Sequence, residues 1–140
     1  MNLTYKKITI REAIPADAKQ LCIWWNDGLV MAHAGFPNGL GISEKAVIEK
    51  LETQDLPNTC RHIIENEGRP IGEMNYIRMD EKACEMGIKI CEADMQNRGI
   101  GKLVLSLFIK GLFEELGYDK ICLDTNLNNK RAQHVYEQLG

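Results

Sequence analysis

Gln96-Asn97-Arg98-Gly99-Ile100-Gly101 stands between an alternating apolar run, Cys84-Glu85-Met86-Gly87-Ile88-Lys89-Ile90-Cys91, and a long apolar stretch from about Gly101 to Leu116. Alternation marks the first run as a strand. In the second, Leu103, Val104, Leu105, Leu107, Phe108, Ile109, Leu112 and Phe113 leave only a polar strip of Lys102, Ser106, Lys110 and Glu114 at four-residue spacing, so it reads as a helix with most of its circumference buried. Gly117 is placed to cap that helix, and Ile121-Cys122-Leu123-Asp124 reads as the next strand. Strand, helix, strand joins parallel strands through a right-handed crossover.

Upstream, the three runs ending in Cys84–Cys91 form an antiparallel meander. Arg61 to Glu65 and Ile71 to Arg78 are hairpin partners around Asn66-Glu67-Gly68-Arg69, and Asp80-Glu81-Lys82 makes the second turn. Gly87 is unusual in a strand interior and marks a bulge or a close approach. Ile8 to Arg11 reads as a first strand, and Pro15 opens a helix in which Ala18, Leu21, Cys22 and Trp25 share the core-facing stripe. Trp24 is turned about 100° away and could line a pocket or pack on a loop. Gly28, Gly35, Pro37, Gly39 and Gly41 make the next segment a long loop, after which Ser43 caps a helix ending ahead of Pro57. Asn129 to Leu139 is a last helix with Ala132, Val135, Tyr136 and Leu139 on one side.

The 140 residues fit one domain with a real core. A formal net charge of -3, with both signs mixed throughout, offers no basic stripe for nucleic acid. The start lacks a signal-peptide pattern and no stretch has the apolar length of a membrane span, so the expected location is cytoplasmic, away from membranes. The five cysteines show no C-x-x-C pair and the three histidines no ligand spacing, so no metal is expected. They read as small buried hydrophobes and as surface or half-buried histidines.

At the strand-to-helix turn, a helix start offers unpaired N–H groups and a partial positive charge, which suit a pyrophosphate, and Arg98 and Lys102 flank it. The same glycines could equally serve only to tighten the turn. A P-loop would need glycine at 96 and Ser or Thr at 103, where Gln96 and Leu103 stand. A dinucleotide-binding fingerprint would need a small residue where Val104 stands, and too few residues follow for its sheet, although Asp124 sits near its expected acidic position and keeps that alternative open.

Q-x-x-G-x-G at 96 to 101 resembles the acetyl-CoA signature of the GNAT superfamily of N-acetyltransferases. Asn129-Lys130-Arg131-Ala132-Gln133-His134-Val135-Tyr136-Glu137-Gln138-Leu139-Gly140 resembles that family's N-x-x-A-x-x-x-Y-x-x-x-G ending. The order of elements is also similar. The resemblance covers essentially the whole chain as one N-acetyltransferase domain, 1–140. It implies an α/β fold with a mixed, mostly antiparallel sheet and a parallel β-α-β crossover at the cofactor site. Members usually carry an aromatic residue and one or two further strands beyond the final glycine. The sequence therefore reads as truncated after its last helix, leaving the strand at Ile121 to Asp124 with an open edge that invites a second copy, as in a homodimer.

The implied activity is acetyl transfer from acetyl-CoA, as co-substrate, to a primary amine of a small molecule or peptide; a non-catalytic acyl-CoA-binding sensor is the alternative. By resemblance, Gln96, Asn97, Arg98, Gly99, Ile100, Gly101 and Lys102 hold the pyrophosphate. The backbone of Met86, Gly87, Ile88 and Ile90 meets the pantetheine arm where Gly87 permits a bulge, and Asn129 hydrogen-bonds that arm or caps its helix. Glu85 is placed as the base, with Glu73 in reserve, and Tyr136 as the donor of a proton to the thiolate. Trp24-Trp25-Asn26-Asp27 looks like the branch containing ribosomal-protein alanine and aminoglycoside N-acetyltransferases. Trp24, Asp27 and Glu73 are the substrate-binding candidates, Asp27, Glu73 and Glu85 forming an acidic pocket for a cationic amine.

Overall fold

Residues 1–32, 35–56, 58–96 and 99–123 are described by a computed structural model. A six-stranded sheet runs in chain order: β1 (Leu3–Tyr5), β2 (Ile8–Glu12), β3 (Thr59–Asn66), β4 (Arg69–Arg78), β5 (Ala83–Ile90) and β6 (Lys120–Leu123). All neighbours are antiparallel except β5 and β6, which are parallel and joined by α4 (Ile100–Glu114). The mixed, mostly antiparallel sheet with one parallel crossover is thus as expected. Helices α1 (Ala18–Trp25), α2 (Gly28–Met31) and α3 (Glu44–Glu52) complete the fold. No described helix is long and apolar enough to cross a membrane.

Alternation along the strands feeds two cores. Ile10, Ile64, Met74, Tyr76 and Met86 are buried with Val104, Leu105, Phe108 and Leu112 of α4. Ile63 and Cys91 are buried with Leu21, Trp24, Trp25, Val47 and Leu51 of α1 and α3. Within α4 only the polar strip of Lys102, Ser106, Lys110 and Glu114 is exposed together with Phe113, at 43%. Val104, Leu105, Phe108, Gly111 and Leu112 are buried, and Leu103, Leu107 and Ile109 pack partly buried against the same core, so most of the circumference is covered as expected, Phe113 excepted. Ser43 caps α3 as expected, its Oγ accepting from the Ala46 N–H at 3.1 Å. At the entry to α1, Arg11 pairs with Asp17 at 2.7 Å, while Asp17 also accepts the Ile14 N–H at 2.8 Å.

Three expectations need correction. The segment before Ile8 is a strand, paired Leu3↔Ile10 through Tyr5↔Ile8 across a two-residue turn with Lys6 at φ 53°, a conformation usually announced by glycine. The glycine-rich segment contains α2, because Asp27 caps it by accepting the Leu29 N–H at 2.9 Å. Trp24 is buried along with Trp25, at 2% exposure, because α1 packs against α2 and α3 as well as facing the sheet.

His62 is also fully buried rather than half-buried, its ring 4.9 Å from that of Phe108 and 5.9 Å from that of Tyr76. Burial pushes its pKa down from 6.5 to about 4. Between those values the unfolded chain takes up a proton that the folded chain refuses, so stability falls as pH drops through this window and levels off below it. Denaturant titrations at pH 7 and pH 4 are expected to differ by up to about 3 kcal/mol on this account. The difference should shrink in His62→Gln; an equal pH effect in that variant would assign the loss elsewhere.

Candidate functional site

Strand β5 ends at Ile90, and a short 3₁₀ turn, Ala93–Met95, carries the chain toward α4. Gln96 donates from Nε2 to the Ile90 carbonyl at 3.0 Å, and Arg69 holds Asp94 at 2.9 Å, so the turn is tied to the sheet on both sides. Gly99 is the N-cap of α4 at φ 76°, a left-handed conformation that costs other residues about 1–2 kcal/mol. Among the described residues nothing lies within 4 Å of where a Cβ would stand on Gly99. The helix ladder begins with the Leu103 N–H donating to Gly99 O at 3.1 Å, so the N–H groups of Ile100, Gly101 and Lys102 precede it as donors that a helix start leaves without an intrahelical acceptor. Space that no described residue fills before such donors, with the exposed Lys102 beside it, fits a phosphate-bearing group. Asn97, Arg98, Asn129 and Tyr136 lie outside the described residues.

On β5, Met86 faces the α4 core, and Ile88 and Ile90 pack partly buried against it. Gly87 does not produce the expected bulge: the β4–β5 register runs unbroken from Gly72↔Ile90 to Arg78↔Cys84. Its reason is close approach, since a Cβ there would stand 3.0 Å from Asn75 Oδ1. Pairing with β6 runs from Ala83↔Lys120 to Met86↔Leu123, so over Gly87–Ile90 the outer edge of β5 has no strand partner among the described residues.

The opposite face of β5 carries Glu85, half-buried, in register between Ile77 of β4 and Cys122 of β6. Glu73 lies four residues along β4 from Ile77, roughly 13 Å at strand rise. Its carboxylate is buried and engaged on both oxygens: Trp25 Nε1 donates to Oε2 at 2.5 Å, and Arg61 Nη1 donates to Oε1. Arg61 also stacks over the Trp25 ring at 4.8 Å. Asp27 is occupied in capping α2. The structure therefore does not bring Glu85 together with Glu73, whereas Asp27 and Glu73 both lie close enough to Cys91 to add to the burial that pushes its thiol up, and Trp24 is packed in the second core.

Arg61 and Asn75 were not singled out by the sequence, and the only available signal was parity. Both occupy the strand face shared by Glu73, Glu85 and Gly87, through the register Arg61↔Asn75↔Gly87. A nucleophilic cysteine finds no support in the buried thiols. Burial pushes Cys60 and Cys84 up to about 11, and Cys91 further, keeping them protonated. Among the described residues no cluster of His, Cys, Asp and Glu could hold a metal ion.

The family model of the acetyltransferase (GNAT) domain matches residues 7–140. No curated protein matches the chain. Among solved structures, a spermidine N-acetyltransferase from Vibrio cholerae in complex with CoA and spermine is similar over 96% of this chain and 80% of its own, at 21% identity and a TM-score of 0.83. The aminoglycoside acetyltransferase AAC(6')-Ib in complex with coenzyme A is similar over 95% and 83%, at 20% identity and a TM-score of 0.80. A domain from Methanocaldococcus jannaschii is similar over 96% and 87%, at 26% identity and a TM-score of 0.81.

Proposed function

Because the chain belongs to the GNAT family of acetyltransferases, we propose that it moves an acetyl group from acetyl-CoA to a primary amine, with Glu85 as the base. The observation that carries this reading is the start of α4: left-handed Gly99, the space in front of it that no described residue fills, and the N–H groups of Ile100 to Lys102 that have no intrahelical acceptor. These residues would hold the pyrophosphate, with the Lys102 ammonium adding charge and Gln96 fixing the turn against β5. The edge of Gly87 to Ile90, which has no strand partner among the described residues, would receive the pantetheine arm. Acetyl-CoA, when bound, supplies an acetyl group activated as a thioester.

The chain's own part is to deliver a neutral amine. Glu85, on the face away from α4, takes the proton of the acceptor's ammonium at its carboxylate, directly or through water. Asn129 and Tyr136, matched by motif, are assigned to the cofactor arm and to proton return. Five thiols, none in a disulfide, fit the reducing cytoplasm in which we place this reaction.

Melting of the chain with excess acetyl-CoA, CoA or NAD tests the cofactor assignment. A ligand at a hundred times its Kd stabilises by about 2.7 kcal/mol, so acetyl-CoA and CoA should shift the midpoint and NAD should not. Gly99→Val, which fills the open space and strains the cap, should lose that shift; a full CoA response in the variant would place the cofactor elsewhere. Binding without CoA release over a broad amine panel would leave a sensor instead of an enzyme.

A further inference from the structure

The pairing of Arg61 with Glu73 changes the charge of the surface beside Glu85. A groove of about 500 Å³ opens between the end of α3 and strands β3 and β4, lined by Lys50, Asp55, Arg61, Asn75, Ile77 and Arg78 among others. Its edge on β4 neighbours the proposed base, since Asn75 and Ile77 stand opposite Gly87 and Glu85 in the β4–β5 register. Opposed side chains in such a pair begin about 5 Å apart.

Lys50 and Arg78, one carboxylate, Asp55, and Arg61, whose charge is balanced by Glu73, line this groove. Arg61 is half-buried and held rigid by the Trp25 stack, and no hydrogen bond engages its Nε or Nη2 among the described residues. Arg78 is positioned by neutral groups, donating from Nε to Asp80 O at 3.0 Å and from Nη1 to Asn58 Oδ1 at 3.4 Å. Neither Arg78 nor Lys50 forms an ion pair among the described residues. The lone carboxylate, Asp55, accepts from Asn58 Nδ2 at 3.3 Å. A polycation entering here meets like charge, whereas a carboxylate meets prepositioned donors.

We propose that the acceptor is an amine that also carries a carboxylate, the carboxylate lying in this groove among Arg61, Arg78 and Lys50 and the amine directed toward Glu85. The inference rests on the transferase reading above and deepens it. Two sources share this chemistry: a free amino acid, and the N-terminus of an acidic peptide.

CoA release is measured with a free acidic amino acid, its methyl ester, an acidic peptide, the peptide's ester and spermidine. The acids are expected to show a kcat/KM at least about tenfold above their esters, through KM, with KM rising with salt as screening weakens the attraction. The faster of amino acid and peptide identifies the source. Lys50 and Arg78 are both exposed, so Lys50→Gln with Arg78→Gln should fold normally. It is expected to erase most of the acid-over-ester preference. Turnover of spermidine or the esters as fast as the acids overturns the inference, as does a chain that binds CoA but acetylates no carboxylate-bearing amine; both leave the cofactor assignment standing. A chain whose melting does not respond to acetyl-CoA fails the transferase reading itself, and this inference with it.

Discussion

Glu85→Gln is expected to slow turnover by about 10²- to 10⁴-fold, roughly 3 to 5 kcal/mol in the barrier, while leaving the fold and the CoA response intact. Glu85 is half-buried on the face of β5 away from α4, between Ile77 and Cys122, and Glu73 has both oxygens occupied by Trp25 and Arg61. Glutamine keeps the shape and the strand pairing but cannot take a proton. The loss should therefore fall on kcat at saturating acceptor, with a melting midpoint close to that of the parent. Near-normal turnover by the variant would remove Glu85 from the mechanism.

Glu73→Ala should have the largest effect on stability, about 3 to 5 kcal/mol. The buried carboxylate receives the Trp25 indole N–H and the Arg61 guanidinium, and deleting it leaves both donors without an acceptor in a site largely closed to water. Glu73→Gln should lose less, since one carbonyl oxygen remains to receive one of the two donors. Chemical denaturation of the three proteins checks the order. An alanine variant within about 1 kcal/mol of the parent would mean that Arg61 and Trp25 find other partners and that Glu73 is not what holds them.

What the sequence revealed follows from where backbone geometry dictates residue type. Gly99 was legible because a left-handed helix cap favours glycine, and Ser43 because a cap needs a short acceptor side chain. The strand parity that sets Met86, Ile88 and Ile90 toward α4 was legible from alternation. The first hairpin was hidden because Lys6 adopts the positive φ, and α2 because four residues show no helical period. The Glu73, Arg61 and Trp25 contacts were beyond reach for a different reason. They join β3, β4 and α1, and the expected acidic pocket failed because no local pattern reports which charges meet across a sheet.

The even-numbered side chains of β5, Cys84, Met86, Ile88 and Ile90, pack into the cluster built with α4, whereas the odd-numbered ones, Ala83, Glu85, Gly87 and Lys89, lie on the opposite face. Under the reading proposed here, donor recognition and acceptor choice are therefore written into a single strand as two interleaved texts. Mutation can revise the odd-numbered positions and their partners on β3 and β4, exploring new amines, without touching the side chains packed under the cofactor turn. The same interleaving limits the drift it permits: inserting or deleting one residue in β5 would exchange the two faces and erase both texts at once.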